Sequence, residues 1–290
     1  MGGPFVATTP SAAGVVLAGG RSLRMGRAKP ALEWHGSTLL YRTAALLGRT
    51  VGGPVVVVRA AGQALPALPP VVAVVEDPEP GRGPLQGIAT GLLAVAARTS
   101  MAFVCATDLP FLHPAFVRRV LAEPDADVAL PIARGHRQPL AAGYRTSLAG
   151  PISALLDAGE RNPGALFATC RVTVLDEVTL RADPAIARLD PGLESLTNVN
   201  EPGEYARARE QAAPAVSVVR RVPPDGRHTV RAATLAAAAA AVRLPLNRPV
   251  VVVVNGASVS PDPQYPLVAG DIVEFSPAAP DEFPAPERSE

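Results

Sequence analysis

The stretch VVLAGGRSLRMGRAKPAL, Val15–Leu32, decides the fold. Its apolar run is typical of a buried strand and stops at Gly19 and Gly20. Open α/β sheets bind ligands beyond the carboxyl ends of their strands, where glycine lets backbone N–H groups approach an anion. Four cationic side chains follow within nine residues, namely Arg21, Arg24, Arg27 and Lys29. The stretch predicts a polyphosphate-binding loop directly after a strand, and the alternative is a solvated basic turn.

Continuous apolar runs alternate with helical patterns up to about residue 213. The runs predict strands at 13–19, 54–60, 71–77, 101–108 and 126–132, and the patterns between them predict helices at 37–49, 84–98 and 114–122. Unbroken apolar strands are typical of a sheet that is buried on both faces. The alternation predicts βαβ units and a Rossmann-like, three-layer α/β domain with a mainly parallel sheet.

The composition narrows the class of protein. The 290 residues carry a formal net charge of +1, which argues against nucleic acid as a partner. Cys105 and Cys170 lie far apart without CxxC spacing, so neither a metal knuckle nor a disulfide framework is expected. The N-terminal residues lack a signal-peptide pattern, and no apolar run reaches the roughly 20 residues of a membrane helix. We therefore expect a cytoplasmic protein without membrane association.

The loop LAGGRSLRMGRAK has neither the Walker spacing nor the dinucleotide GxGxxG spacing. It resembles the signature loop, LAGG-x-S-x-R-MG-x-x-K, of the molybdenum cofactor guanylyltransferase (MobA-type) family. The resemblance implies a nucleotidyltransferase with GTP and molybdopterin, or molybdenum cofactor, as substrates. It places Arg24 and Lys29 in catalysis and implies nucleotide contacts from Leu17, Ala18, Gly19, Gly20 and Lys29. Because cytidylyl- and sugar-phosphate nucleotidyltransferases share this loop, it indicates the reaction type more than the substrate.

A lone carboxylate, Asp108, ends the apolar run of MAFVCATDLPFL. A hard carboxylate oxygen at this sheet edge suits Mg²⁺ that bridges triphosphate oxygens. The alternative role is a helix N-cap, but the next helical pattern begins near Pro114, too far away for Asp108 to cap it. In the family that the loop resembles, this aspartate binds Mg²⁺ and nucleotide and belongs to the catalytic residues.

The segment EDPEPGRGPLQGIATGLLAV predicts a helix that begins at Pro84 and turns Leu85 toward the core. Gly87 and Gly91 leave one stripe of this helix bare, which suits either a flat base or tight packing of the helix on the sheet. GPLxG resembles the guanylyltransferase form of the segment. The resemblance implies nucleotide contacts from Pro84, Leu85, Gly87 and Asp77. The family's asparagine after the second predicted strand is absent from VVVVRAAGQ, so the choice of nucleobase stays open.

Two further segments resemble the family. LTNVNEPGEYARA is similar to its NVNTPEE segment, so Asn198 and Asn200 are candidates to reach a metal or a pterin phosphate. An N-cap of the following helix is the alternative for both asparagines. In GHRQPLAAGYR, residues 135–145, Arg137 is a candidate for contact with the acceptor, and a plain hairpin turn is the alternative.

After Pro214 the pattern changes to strand, strand, helix, strand and strand within about 65 residues, the order of a β-grasp module. VNGASV and LVAGDIVEFSPA resemble the small sulfur carriers of molybdopterin and thiamine synthesis. Since the sequence ends in PERSE without the carriers' Gly-Gly, we expect a docking or regulatory module for molybdenum cofactor synthesis proteins. The expected domains are a flexible N-terminus at 1–12, a nucleotidyltransferase domain at 13–213, a β-grasp domain at 214–278 and a disordered tail at 279–290.

Two other functions stay open at this point. One is a different nucleotidyltransferase, which uses CTP on molybdopterin or takes a sugar phosphate as acceptor. The other is a non-catalytic partner protein that presents the β-grasp module to a cofactor-synthesis complex. The presence of Arg24, Lys29 and Asp108 favours an enzyme.

Overall fold

The computed structural model describes residues 11–19, 28–79, 81–123, 125–246 and 249–278. Gly20 and Arg24 lie outside these ranges, as do residues 1–10 of the expected flexible N-terminus and the whole expected tail. The described residues form two compact units, one of residues 11–34 and 38–208 and the other of residues 35–37 and 209–278.

The chain alternates strands and helices up to residue 210. Its strands there are β1 (Ala13–Leu17), β2 (Glu33–Trp34), β3 (Ser37–Thr38), β4 (Val55–Ala60), β5 (Ala73–Asp77), β6 (Met101–Ala106), β7 (Val128–Ala133), β8 (His136–Arg137), β9 (Ala141–Arg145) and β10 (Val172–Leu175). Its helices there are α1 (Leu39–Gly48), α2 (Pro84–Val95), α3 (Pro114–Leu121), α4 (Ala149–Asp157), α5 (Pro163–Phe167), α6 (Glu177–Arg181), α7 (Pro184–Leu189) and α8 (Pro202–Glu210).

The main sheet has the strand order β10-β7-β9-β6-β1-β4-β5, and β8 pairs with β7 beside this row. The pairs β1–β4, β1–β6, β4–β5 and β7–β10 are parallel, whereas β9 runs antiparallel to both β6 and β7. Leu17 pairs with Val58 on one side and with Ala106 on the other. The carboxyl ends of β1, β4 and β6 therefore share one edge, which confirms the predicted α/β domain with a mainly parallel sheet.

The strand β5 departs from the expectation of a sheet that is buried throughout. It lies at the edge of the sheet, and Val74 is 41% exposed. The central strand β1, in contrast, is buried along its whole length. The apolar run therefore predicted β5 correctly as a strand, but the prediction that it is buried was wrong. Burial depends on the place of a strand in the sheet, which the run does not indicate.

The stripe of α2 that carries Gly87 and Gly91, and so lacks side chains, packs on β1. A Cβ atom added at Gly91 would lie 2.2 Å from Cγ1 of Val15, and one at Gly87 would lie 3.3 Å from Cδ2 of Leu17. Val15 is fully buried, so the helix backbone rests directly on its side chain. At Gly91 the structure supports tight packing of helix on sheet, the alternative to a bound base.

We expect Gly91→Ala to lower the free energy of unfolding by about 1–3 kcal/mol, because Val15 cannot rotate its methyl group out of a packed sheet. The gain in helix propensity, about 1 kcal/mol, works in the opposite direction. Chemical denaturation followed by fluorescence of Trp34, the only tryptophan of the chain and 2% exposed, measures the effect. Gly150→Ala in α4 is the matched control, since a Cβ there meets no atom within 4 Å. Equal stability of both variants would contradict this packing.

The second unit contains a five-stranded sheet and one helix. Its elements are β11 (Ala215–Arg220), β12 (Gly226–Arg231), α9 (Leu235–Ala241), β13 (Val250–Val254), β14 (Ala257–Val259) and β15 (Ile272–Pro277). The strand order is β12-β11-β15-β13-β14, with β11 and β15 parallel and the other neighbours antiparallel. The strand β14 was not predicted from the sequence; it follows a two-residue turn in which Asn255 and Gly256 both have positive φ, 51° and 85°.

Candidate functional site

Lys29 lies at the centre of a polar cluster on the shared sheet edge. It opens a short 3-10 turn, Lys29–Ala31, whose Pro30 is buried and fixes the backbone. Its ammonium group donates to Oδ2 of Asp108 over 3.0 Å and to Oδ1 of Asn200 over 2.8 Å. The loop after β1, the end of β6 and the segment before α8 thus meet at one cation. Lys29 is the only lysine among the 27 Lys and Arg residues of the chain.

Asp108 follows β6 by two residues and does not cap a helix. The next helix, α3, begins at Pro114, and its N-cap is His113, whose Nδ1 accepts from the backbone N–H of Ala115 over 3.0 Å. The backbone carbonyl of Asp108 accepts from the N–H of Val199 over 3.0 Å. The carboxylate is therefore left for the cluster, where its side chain is 15% exposed.

Asn200 directs its side chain to Lys29. Its backbone N–H donates to Oε2 of Glu204 over 2.7 Å, so the carboxylate of Glu204, in the first turn of α8, satisfies the backbone at the helix start. The alternative of Asn200 as a side-chain N-cap is thus not what the structure shows. Asn198 is exposed two residues earlier, and Val199 between them is 1% exposed and anchors the segment in the core.

A cleft of about 270 Å³ opens beside the cluster. It is lined by Ala106, Asp108, Arg137, Gln138, Pro139, Leu140, Asn198 and Asn200. Arg137 lies in β8 on the hairpin with β7, and its guanidinium is 6.0 Å from the ring centroid of Phe167. The structure thus contains the hairpin that was the alternative for Arg137, and the same hairpin carries Arg137 into the cleft with both asparagines.

The glycine loop leaves β1 at the same edge. Leu17 and Ala18 are buried, 8% and 3% exposed, whereas Gly19 is exposed. The N–H groups of Ala18 and Gly19 both donate to the carbonyl oxygen of Val58, over 2.8 and 3.2 Å. The side chains of Leu17 and Ala18 therefore belong to the core, and the N–H groups of Ala18 and Gly19 are hydrogen-bonded within the sheet.

The other predicted nucleotide residues surround the start of α2 and the end of β5. Asp77 is half-buried, and its Oδ1 accepts from the N–H of Glu79 over 3.0 Å. Desolvation by burial raises the pKa of its carboxyl, and the hydrogen bond from Glu79 opposes that rise. Pro84 is the exposed first residue of α2, Leu85 is fully buried, and Gly87 is covered by Leu17.

Arg134 was not predicted from the sequence, and it holds in place residues 196–200, called here the asparagine segment. Its guanidinium donates to the carbonyl oxygen of Leu196 over 3.4 Å and to Oγ1 of Thr197 over 3.1 Å, just before Asn198. The Arg134 N–H donates to Oε1 of Glu177 over 2.7 Å, and this hydrogen bond is the main cause that lowers the pKa of the Glu177 carboxyl. No spacing in the sequence pairs residue 134 with residue 197, so no motif indicates this contact.

If the asparagine segment binds the acceptor, as the resemblance implies, Arg134→Asn should raise the KM for the acceptor about three- to tenfold, since the hydrogen bonds to Leu196 and Thr197 are lost. Arg134 has a positive φ of 52°, which asparagine tolerates better than other non-glycine residues, so the turn should keep its shape. Steady-state kinetics with varied acceptor and varied nucleotide separate the two KM values. An unchanged KM for the acceptor would show that Arg134 does not position the segment.

Asp108 and Asn200 supply oxygen donors of the kind that Mg²⁺ takes. Oδ2 of Asp108 and Oδ1 of Asn200 both lie within 3.0 Å of one cation, the ammonium of Lys29, so two oxygen donors converge on a single positive charge. Among the described residues no group of three or more His, Cys, Asp or Glu side chains is placed to hold a metal ion. One carboxylate with added phosphate oxygens is the usual arrangement for Mg²⁺ in nucleotide sites.

Within the described ranges, no helix combines the length and the apolar composition that a membrane crossing requires.

Comparison with known proteins points to one family. Residues 14–172 match the MobA-like NTP transferase domain family. A Mycobacterium tuberculosis protein named "probable molybdenum cofactor guanylyltransferase" is 46% identical over 160 residues, which are 53% of this chain and 78% of that protein. A protein of the same name from Mycobacterium ulcerans is 44% identical over 162 residues, 54% of this chain and 79% of that protein.

The fold has a counterpart among solved structures. Molybdopterin-guanine dinucleotide biosynthesis protein A from Archaeoglobus fulgidus superposes with a TM-score of 0.53 at 22% sequence identity. The superposition covers 68% of this chain and 97% of that one. At this identity the likeness establishes the fold alone, a Rossmann-like α/β nucleotidyltransferase fold with a mostly parallel sheet.

Proposed function

Because this chain belongs to the MobA-like NTP transferase domain family, we propose that it transfers GMP from GTP to molybdopterin or molybdenum cofactor, which gives a guanine dinucleotide and pyrophosphate. The observation that carries the proposal is the cluster of Lys29, Asp108 and Asn200 at the sheet edge reached by the glycine loop. The names of the mycobacterial relatives support GTP and the cofactor as the substrates.

The reaction makes one phosphorus–oxygen bond and breaks another. A terminal phosphate oxygen of the acceptor attacks the α-phosphorus of GTP, and the bond to the β-phosphate breaks with its electron pair on pyrophosphate. Such chemistry depends on positioning and on neutralisation of charge more than on a strong general base. Lys29 is suited to this task, since its point charge can move from Asp108 to the oxygens of a bound triphosphate.

Asp108 and Asn200 are the residues that would hold Mg²⁺, with Asp108 as the carboxylate ligand. When bound, the ion neutralises triphosphate oxygens and lowers the cost of the charge that develops on the leaving group. Arg24, Gly20 and Gly19 would complete the triphosphate site in this proposal. Their part in it rests on the signature loop.

The acceptor side of the proposal uses the cleft. Arg137 supplies a planar guanidinium for a phosphate of the acceptor, and Phe167 beneath it restricts its orientation. Asn198 and Asn200 also line the cleft and offer amide donors. Asp108 lines the same cleft, so a phosphate held by Arg137 would lie near the proposed metal ligand, as the transfer requires.

Pyrophosphate release by the purified full chain tests the proposal. With Mg²⁺ and isolated molybdopterin, we expect release with GTP and much slower release with CTP. Preference for CTP would move the chain to cytidylyl transfer, an outcome kept open because the family's asparagine is absent from VVVVRAAGQ. Arg59, near the end of β4, instead pairs its guanidinium with Glu76. If neither nucleotide gives pyrophosphate release with molybdopterin, but release occurs with a sugar phosphate as acceptor, molybdopterin is refuted as the substrate.

We further propose that the second unit is a β-grasp module that docks molybdenum cofactor synthesis proteins. Support comes from the helix between two β-hairpins and from the parallel pairing of β11 with β15 at the sheet centre. If instead the whole chain were a non-catalytic partner, binding of those proteins would persist without any transferase activity. A cytoplasmic location is also proposed, supported by the unpaired state of both cysteines, Cys105 and Cys170.

A further inference from the structure

One side chain, Gln63, joins the glycine loop to the strand beside it. Its Nε2 donates to the carbonyl oxygen of Ala18 over 2.9 Å. Its Oε1 accepts from the backbone N–H of Ala60 over 3.0 Å. Both polar atoms of the amide are therefore used, and both bind backbone groups at the sheet edge that carries the site.

This amide takes the place of a backbone hydrogen bond. The strands β1 and β4 pair in parallel up to Leu17 and Val58, and the N–H of Ala18 still donates to the carbonyl of Val58 over 2.8 Å. In a parallel ladder the next bond would run from the N–H of Ala60 directly to the carbonyl of Ala18. Instead the Gln63 amide stands between the two groups, with one acceptor and one donor, and bridges the strands where the loop departs.

The amide of Gln63 is itself held firmly. Its residue closes a turn after β4, in which its N–H donates to the carbonyl of Ala60 over 3.0 Å and Gly62 has a φ of 68°. Nη1 of Arg59 donates to the carbonyl of Gln63 over 3.0 Å, and Nη2 of Arg59 pairs with Glu76 over 2.7 Å. These contacts fix the backbone from which the side chain reaches the loop.

The position of the loop depends on this bridge. A Cβ atom added at Gly19 would lie 3.4 Å from the backbone nitrogen of Ala60, so the loop passes close to the end of β4. We propose that Gln63 is a positioning residue, which fixes the Ala18–Gly19 peptide in the position that binding of the nucleoside triphosphate requires. This inference rests on the proposed function, because it names what holds the nucleotide loop in place.

Gln63→Glu is the sharpest test, since it keeps the size of the side chain and the acceptor for Ala60. Its carboxylate cannot donate to the carbonyl of Ala18 and repels that oxygen instead. We expect the KM for GTP to rise about tenfold near neutral pH, with kcat changed much less. Gln211→Glu, the same change at an exposed position, should leave both constants as they are.

Protonation should rescue the variant. A neutral carboxyl donates through its O–H to Ala18 and still accepts from Ala60, so it restores the bridge below the pKa of the new glutamate, which is about 4.3 in isolation and higher beside a carbonyl oxygen. Arg59 and Glu76 are the charged groups on the strands packed against it, and both are also present in the wild type. The ratio of variant to wild-type KM should therefore fall as the pH is lowered from about 8 to about 5.

Affinity for GTP, measured by titration calorimetry on wild type and variant, separates this inference from the proposed function. A weaker Kd in Gln63→Glu that recovers at low pH supports the positioning role, whether or not the wild type transfers GMP. Equal Kd values at both pH values would overturn that role and leave the transfer untouched. A loss that does not depend on pH and accompanies a lower Tm would mark Gln63 as merely structural, and no GTP binding by the wild type would refute both.

Discussion

Asp108→Asn is expected to lower kcat for pyrophosphate release by about a thousandfold, the largest effect of any single change in the site. Asparagine keeps the shape and one oxygen of the side chain but removes the negative charge. Without that charge, the proposed site lacks the carboxylate of Asp108 to hold Mg²⁺, and Lys29 loses its ion pair with Asp108. Steady-state pyrophosphate release at saturating GTP and acceptor measures the effect.

The matched control for Asp108→Asn is Asp157→Asn. The side chain of Asp157 is 77% exposed at the end of α4, where its carboxylate faces Arg82, so its loss should leave kcat as it is. Circular dichroism should show that both variants are folded. A folded Asp108→Asn protein with kcat within about threefold of the wild type would remove Asp108 from the proposed catalytic residues.

Lys29→Met is expected to lower kcat by about 100- to 1000-fold, the typical loss when a preorganised positive group beside a developing charge is removed. Methionine keeps an unbranched chain of similar length, so the packing around the 3-10 turn should survive. Lys29→Arg keeps the charge but replaces a compact ammonium with a planar fork, and we expect it to restore only part of the activity.

The uniqueness of Lys29 permits a direct check of its environment. Reductive methylation with a carbon-13 label marks one lysine side chain in this protein, besides the terminal amine. In the free protein its signal should report the pairing with Asp108 and Asn200. Addition of GTP with Mg²⁺ should shift that signal, because the ammonium changes partners. A signal that GTP leaves unmoved would contradict a role for Lys29 at the triphosphate.

The fold was largely predictable because its strands have a clear pattern in the sequence. Buried parallel strands need continuous apolar runs, and the predicted strand at 101–108 is found as β6, Met101–Ala106. The apolar runs do not indicate which strands are neighbours in the sheet. The antiparallel insertion of β9 between β6 and β7 and the exposure of β5 follow from long-range pairing, on which local sequence carries no signal.

The candidate site was predictable in part for the same reason. Lys29 and Asp108 follow two adjacent parallel strands, so the topology brings them together once the sheet is known. Asn200 could not be assigned from sequence, because an asparagine before a helix caps as readily as it binds. Its role in the cluster follows only from the structure, in which its Oδ1 accepts from Lys29. Gln63 and Arg134 were not predicted either, because the residues that their side chains contact are distant in sequence. Gln63 contacts Ala18, and Arg134 contacts Leu196 and Thr197.

The most direct test of the account follows the α-phosphorus itself. GTP labelled at that atom is incubated with Mg²⁺, isolated molybdopterin and the full chain, and the products are separated. We expect the label to move from GTP to a molybdopterin guanine dinucleotide, at a rate that Asp108→Asn lowers about a thousandfold. Label that stays in GTP with folded wild-type protein and intact acceptor, or that reaches the dinucleotide equally well with Asp108→Asn, would contradict it.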